Sequence, residues 1–311
     1  MSNSCSQGIE NWGDNVFAGI NTAPNELSYL RQFVDAHDFS PHTIRAICFD
    51  VRKFGKYFVQ VNQESFDATR CTVADCRGFK RHCRETLGQS VSTVNRALVS
   101  LRKYFNWLLA QGLIEHNPAK AVKELRKQQM VPKGLERSQV RKLLREIELR
   151  KDIRANGIFS LFLHTGCRVS DLVQLELHDV MMNERSGSVV FRFGKGGKQR
   201  TCPLPLTARR AIQEYLEVRP PVNSEKVFIG ERGNLTDKGI RALCNKYSAI
   251  CGFKIYPHLL RHTMAHRFLA DTNNDLVALA QILGHENLTT TARYSQRGES
   301  ELAEVAERVS Y

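Results

Sequence analysis

The chain has 311 residues, 42% of them apolar, and Lys and Arg outnumber Asp and Glu by 45 to 32, for a net charge of +13 and a pI near 9.5. No run is long and apolar enough to span a bilayer, and the opening MSNSCSQGIENWGDN has neither the basic nor the apolar stretch of a signal peptide. Nine cysteines without framework spacing argue for reduced thiols in a cytoplasm, the length favours two domains, and a positive excess in both halves is the profile of a polyanion binder.

The first half reads as four helices. A short one covers Pro24 to His37. Ser40 and Pro41 then supply an N-cap and an N1 proline ahead of a stripe of Ile44, Ile47, Val51, Phe54 and Phe58. A third runs from about Thr72 to Leu87 and stops at Gly88. A fourth opens near Ser90 and carries Val94, Leu98, Leu101, Phe105 and Leu108 until Gly112. Cys71, Cys76, His82 and Cys83 come closest to a metal set, but the seven-residue step from Cys76 to Cys83 puts both on one buried helical face, so no metal is expected. The polar faces of the last two helices carry Arg77, Lys80, Arg81, Arg84, Arg96, Arg102 and Lys103 against Asp75 and Glu85. A charge run is usually a solvated face. This one is so one-sided that a phosphate-contacting surface is the better reading, with Lys80, Arg81, Arg84, Arg96 and Lys103 as candidates.

After Asn117-Pro118 the stretch AKAVKELRKQQMVPKG is basic and ends in Pro-Lys-Gly, as a linker would. The expected division is therefore a helical domain over 1–118, a linker over 119–134 and a second domain over 135–311. Helical periodicity resumes with Val140, Leu143, Leu144 and Ile147, then Ile158, Leu161, Phe162 and Leu163. SVVFRF and KQRTCPLPL are strand-like runs joined by Gly194-Lys195-Gly196-Gly197, a hairpin. From Thr207 onward the pattern is helical, apart from short connections. The expected fold is mainly α with a small antiparallel β-sheet.

Four patterns in the second half could carry chemistry. In HTGCRVSDLVQLEL, Thr165-Gly166 ends one helix and Arg168 opens the next, with Asp171 one turn on, where it could orient Arg168. The bland alternative is a surface ion pair. RFGKGGKQR offers Lys195 and Lys198 on a hairpin tip but lacks the order of a P-loop. In YPHLLRHTMAHRF, Pro257 starts a helix that puts His258 and Arg261 on one face. His258, His262 and His266 repeat every four residues, yet no acidic ligand accompanies them, so a phosphate suits this pair better than a metal. QILGHENLTTTARYS sets His285 nine residues ahead of Tyr294.

Taken in order, T-G-x-R-V-S-[DE]-L at 165–172, G-K-G-x-K at 194–198, H-x-L-R-H at 258–262 and L-G-H-x-x-x-x-T-T-x-x-Y at 283–294 resemble the tyrosine recombinases, and among them the Xer-type bacterial members. Each motif alone is weak; four in order are specific. The resemblance covers roughly Leu135 to Tyr294 and extends less specifically to the helical first half, which is similar to the family's core-binding domain. A stretch at 270–275, ADTNND, is slightly longer than the Xer pattern.

The resemblance implies a mixed α/β catalytic domain and a site-specific recombinase acting through a 3′-phosphotyrosine and a Holliday junction. Tyr294 would be the nucleophile, Arg168 and Arg261 the clamps on the non-bridging oxygens, and Lys195 the acid for the leaving 5′-oxygen. His258 would be the base, His285 a second phosphate ligand and Asp171 a support. Bond count is conserved, so no cofactor and no metal is expected. The implied partner is a duplex recombination site with inverted half-sites, filled by a homotetramer on two sites or by a heterotetramer with a paralogous recombinase, in the bacterial cytoplasm at the nucleoid. A tail helix over 299–311, with Leu302, Val305, Ala306 and Val309 on one stripe, would link protomers. The alternatives are a type IB topoisomerase-like enzyme and a DNA-binding protein that does not cut.

Overall fold

The computed structural model describes residues 16–126, 134–192, 199–285, 287–295 and 307. The chain divides into two compact units, Met1–Gln129 and Met130–Tyr311. The expected hairpin tip at 193–198 and the tail helix over 299–311 lie outside the described residues, except for position 307.

The first unit holds α1 (Glu26–Asp35), α2 (Pro41–Asn62), α3 (Val73–Arg81) and α4 (Val91–Ala110). Their starts follow from local chemistry. The Thr43 amide donates to Ser40 Oγ ahead of Pro41, the Thr93 amide donates to Ser90 Oγ, and Thr72 with Asp75 forms a reciprocal capping box. The helix expected to reach Leu87 ends at Arg81 and continues as one π-turn, His82–Thr86, which keeps Cys83 buried while Arg81 and Arg84 stay exposed. Phe54 anchors the core, edge-on to Phe79 at 5.2 Å, Phe66 at 5.8 Å and Phe105 at 6.0 Å. Part of the basic stretch after Pro118 packs on this unit. Val122 is buried, Arg102 Nη2 donates to its carbonyl at 2.7 Å, and Asn95 exchanges two hydrogen bonds with the Leu125 backbone.

The second unit opens with α5 (Arg137–Leu149), α6 (Ile153–Thr165) and the short α7 (Val169–Gln174). A three-stranded antiparallel sheet follows in the order β1 (Val180–Met182), β2 (Gly187–Phe191), β3 (Arg200–Pro203), with Val189 paired to Val180 on one side and Cys202 on the other. Next come α8 (Leu206–Glu217), a small hairpin of β4 (Ile229–Gly230) and β5 (Gly233–Asn234), α9 (Asp237–Cys251), α10 (Pro257–Asp271), α11 (Leu276–Leu283) and α12 (Leu288–Ala292). The two expected strands are β2 and β3. β1 and the second hairpin were not expected, because strands of two or three residues are too short to show an alternation. Helix α6 is buried on nearly every face, through Ala155, Ile158, Phe159, Leu161 and Phe162. A smaller cluster of Met264, Ala265, Leu269, Leu279 and Leu283 seats the ring of Tyr294.

The eight described cysteines are free, and burial pushes the thiols of Cys76, Cys167 and Cys244 up to about 12, as for core side chains. No described helix is long and apolar enough to cross a membrane.

Candidate active site

The site is assembled where helix ends meet. Helix α6 stops because Gly166 takes a left-handed φ of 57°, and α11 stops at Gly284 with a φ of 65°. Carbonyls at a helix C-terminus have no partner within the helix and carry partial negative charge. Two of them face the same guanidinium: Arg261 Nη1 donates to the Gly166 carbonyl at 2.5 Å and Nη2 to the Leu283 carbonyl at 2.9 Å. Arg261 is only 3% exposed, on the first turns of α10, which Pro257 opens from extended backbone at Tyr256. Burial first, and then the charge of Arg168, lowers its pKa to about 10.

His285 comes next. Arg261 Nη2 lies 2.8 Å from its Nε2, and Thr291 Oγ1 lies 2.9 Å from its Nδ1. A guanidinium has no lone pair to offer, so Nε2 accepts and the ring hydrogen must sit on Nδ1, donated to Thr291. Burial, followed by the charges of Arg261 and Arg168, lowers the His285 pKa to about 4, so the imidazole is neutral near pH 7.

Tyr294 completes the cluster. It is 5% exposed, and its hydroxyl lies 2.9 Å from His262 Nδ1. Burial raises the phenol pKa, working against the nearby charges of Arg261 and Arg293. Burial and then His258 lower the His262 pKa to about 4. His258 stands edge-on to His262 with ring centroids 4.1 Å apart, and its pKa is lowered by burial and by Arg261, Arg293 and Arg168. Arg261, His258, His262, His285 and Tyr294 therefore lie in one cluster and one electric field, with Arg168 close enough to contribute. Two guanidiniums close enough for Arg168 to lower the pKa of Arg261, beside the neutral imidazoles of His262 and His285, form a ready receptor for an anion.

Arg168 is the half-buried N-cap residue of α7. Asp171 meets this residue at its backbone and not at its guanidinium. Its Oδ2 accepts the Arg168 backbone amide at 2.9 Å, and its ion-pair partner is Arg200 Nη2 at 2.5 Å. Lys195 and Lys198 lie outside the described residues. In the first unit Arg81, Arg84, Arg96 and Lys103 are exposed and Lys80 is half-buried. Arg96 is tied to the buried Asp50 at 3.0 Å, Lys80 Nζ donates to the Lys123 carbonyl at 2.7 Å, and Lys103 Nζ sits 5.3 Å from the centre of the Phe39 ring.

Three residues are given no role by the sequence. His262 and Thr291 fall inside the family-like motifs at 258–262 and 283–294 without a function of their own, and Arg200 carries no signal because its partners are 29 and 82 residues away. For a metal, the described residues bring Glu176, His178 and Asp179 within 4.8 Å of one another. Lys226 already pairs with Glu176, and Arg192 with the buried Asp179, so the carboxylates of this cluster are charge-balanced.

Residues 133–301 match the Phage integrase family, and residues 27–112 match the phage integrase N-terminal SAM-like domain. The chain is 33% identical to tyrosine recombinase XerC of Thermodesulfovibrio yellowstonii over 86% of its own length and 90% of the relative's. It is 32% identical to tyrosine recombinase XerA of Thermococcus kodakarensis over 88% and 91%. In fold it is similar to the XerH site-specific recombinase in a post-cleavage complex with difH substrate, with a TM-score of 0.74 at 18% identity, covering 97% of this chain and 94% of that one. The chain belongs to the phage integrase family of tyrosine recombinases, site-specific enzymes that cleave and rejoin DNA through a phosphotyrosine intermediate.

Proposed function

We propose that Tyr294 is the nucleophile of this recombinase and that the pocket around Arg261 receives the scissile phosphate. The tyrosine Oη bonds to phosphorus as the bond from phosphorus to the 5′-oxygen breaks, leaving a 3′-phosphotyrosine and a 5′-hydroxyl. A 5′-hydroxyl of the partner strand then reverses the step. The phosphate displaces the contacts that Arg261 and His285 make with each other, and Arg168 with Arg261 offsets charge on the non-bridging oxygens. The tyrosine proton leaves toward the neutral His262–His258 pair, and Lys195 protonates the 5′-oxygen. His285 needs a hydrogen on Nε2 to bind a phosphate oxygen, which it gains by taking a proton or by changing tautomer.

The observation that carries this reading is a pair of contacts in one cluster, Arg261 on His285 and His262 on the Tyr294 hydroxyl, with the Arg261 charge acting on both His285 and Tyr294. The helical unit, with Lys80, Arg81, Arg84, Arg96 and Lys103, contacts the duplex as a core-binding domain over 1–118, and 119–134 links it to the catalytic domain over 135–311. The substrate is a site with inverted half-sites, and four protomers act on two sites, either of this chain alone or together with a paralogous recombinase. Tails over 299–311 join neighbours. The reaction takes place in the bacterial cytoplasm, at the nucleoid.

Trapping on nicked duplex DNA tests the assignment. Wild type should form a covalent adduct resistant to SDS. Tyr294→Phe should form none while keeping site affinity, because the ring still fills its apolar seat. An adduct in Tyr294→Phe would move the nucleophile elsewhere, with Tyr256 and Tyr311 the next to test. Relaxation of supercoiled plasmid without a specific site would favour the topoisomerase reading.

A further inference from the structure

Arg200, the first residue of β3, touches the supports of both Arg168 and His285. Its side chain is 8% exposed, with the guanidinium carbon 4.6 Å from the centre of the Phe191 ring. Nη2 pairs with Asp171 Oδ2 at 2.5 Å, and the same oxygen accepts the amide of Arg168. Nε donates to the Ile282 carbonyl at 3.2 Å, a carbonyl that also accepts from Cys202 Sγ at 3.3 Å. The Arg200 stem lies along the next turn, where a Cβ on Gly284 would stand 2.8 Å from Arg200 Cδ. Gly284 precedes His285, and Leu283 supplies a carbonyl to Arg261.

The ion pair is demanding. The Asp171 side chain is 1% exposed, and its Oδ1 is buried without a hydrogen-bond partner, so Arg200 is the ion-pair partner that offsets this carboxylate among the described residues. A merely stabilising ion pair would have no need of the second arm to Ile282. Arginine serves both through two nitrogens held apart in a rigid fork, Nη2 toward Asp171 and Nε toward Ile282, whereas a lysine would have to span the two acceptors from a single nitrogen on a flexible stem.

We propose that Arg200 is a positioning residue for cleavage. Through Asp171 it fixes the backbone turn that carries Arg168, and through Ile282 the turn that carries Leu283 and His285. It thereby sets the spacing of the phosphate clamp without itself contacting DNA. This rests on the active-site reading above.

The test uses the full chain and single-turnover cleavage of nicked duplex DNA at saturating protein. Arg200→Lys keeps a cation for Asp171 but loses the arm to Ile282. The double variant Asp171→Asn with Arg200→Met removes both charges, so no buried charge is left unpaired. Both should bind the site as wild type does and cleave slower by about 100-fold, the size of effect expected from a displacement near 1 Å at a reacting centre. A second substrate carries a methylphosphonate at the scissile position, which removes one non-bridging oxygen and its charge. If Arg200 acts through the clamp, the deficit narrows on this substrate, which demands less charge stabilisation. Equal deficits on both substrates would mean a general structural role and overturn the proposal, as would wild-type cleavage by either variant. If wild type itself forms no adduct at Tyr294, the active-site reading fails and this proposal falls with it. Slow variants beside an active wild type separate the two cases.

Discussion

Replacing Gly166 with alanine tests whether the turn that ends α6 holds Arg261 in place. Two penalties can be worked out separately. At a φ of 57° an alanine pays the left-handed backbone cost, about 1–2 kcal/mol. Its Cβ would also stand 2.7 Å from Leu283 Cδ2 and 3.2 Å from Met264 Sδ, and forcing extra volume into a packed site typically costs about 1–3 kcal/mol. Gly252, the C-cap of α9, is the control: its φ is 75°, but a Cβ there would meet nothing within 4 Å, so alanine pays the backbone cost alone. Gly166→Ala should therefore lower the melting temperature of the catalytic unit further than Gly252→Ala does, by about 2–4 °C for each additional kcal/mol. Leu283 and Gly166 both give carbonyls to Arg261, so a push on Leu283 moves the guanidinium, and cleavage of nicked DNA should slow in Gly166→Ala alone. Differential scanning of the intact chain and single-turnover trapping measure the two effects. Equal melting and equal cleavage in the two variants would refute the reasoning.

Lys195→Ala should slow cleavage of an ordinary phosphodiester far more than that of a 5′-bridging phosphorothiolate, whose sulfur leaves without a proton; rescue in Lys198→Ala instead would transfer the role to Lys198. Reversing the charges of Arg81, Arg84 and Lys103 should weaken DNA binding and flatten its salt dependence by a slope of about 0.9 per lost phosphate contact, and an unchanged slope would return this face to a solvated one. Lowering the pH should destabilise the catalytic unit through His262 and His285. Their folded pKa values, about 4, lie below the ordinary histidine value of 6.5, so the unfolded chain takes up protons first, and stability falls between about pH 6.5 and 4. Urea midpoints across that range should fall less steeply in the double variant His262→Gln with His285→Gln, and parallel curves would count against neutral buried imidazoles.

The four N-terminal helices, the starts of α2 and α4 and the β2–β3 pair were legible in the sequence because local signals decide them: a serine N-cap, a 3.6-residue stripe, strand runs flanking a glycine-rich turn. The order of Arg168, His258, Arg261, His285 and Tyr294 was legible too, since each falls in a short motif anchored to a helix end. Local order could not say which donor meets which acceptor. His262 rather than His258 lies against the Tyr294 hydroxyl because the rotation of α10 against the 288–295 turn is set by the apolar seat of Met264, Leu279 and Leu283, which no periodicity encodes. Asp171 takes the Arg168 amide and the Arg200 side chain because β3 brings in, across 29 residues, a cation that the sequence gives no reason to pair with it. The sequence by itself determined which side chains are available and which helix ends present them. Tertiary packing alone decided their hydrogen-bond partners, because a buried carboxylate or guanidinium must take whichever partner the fold delivers within about 3 Å.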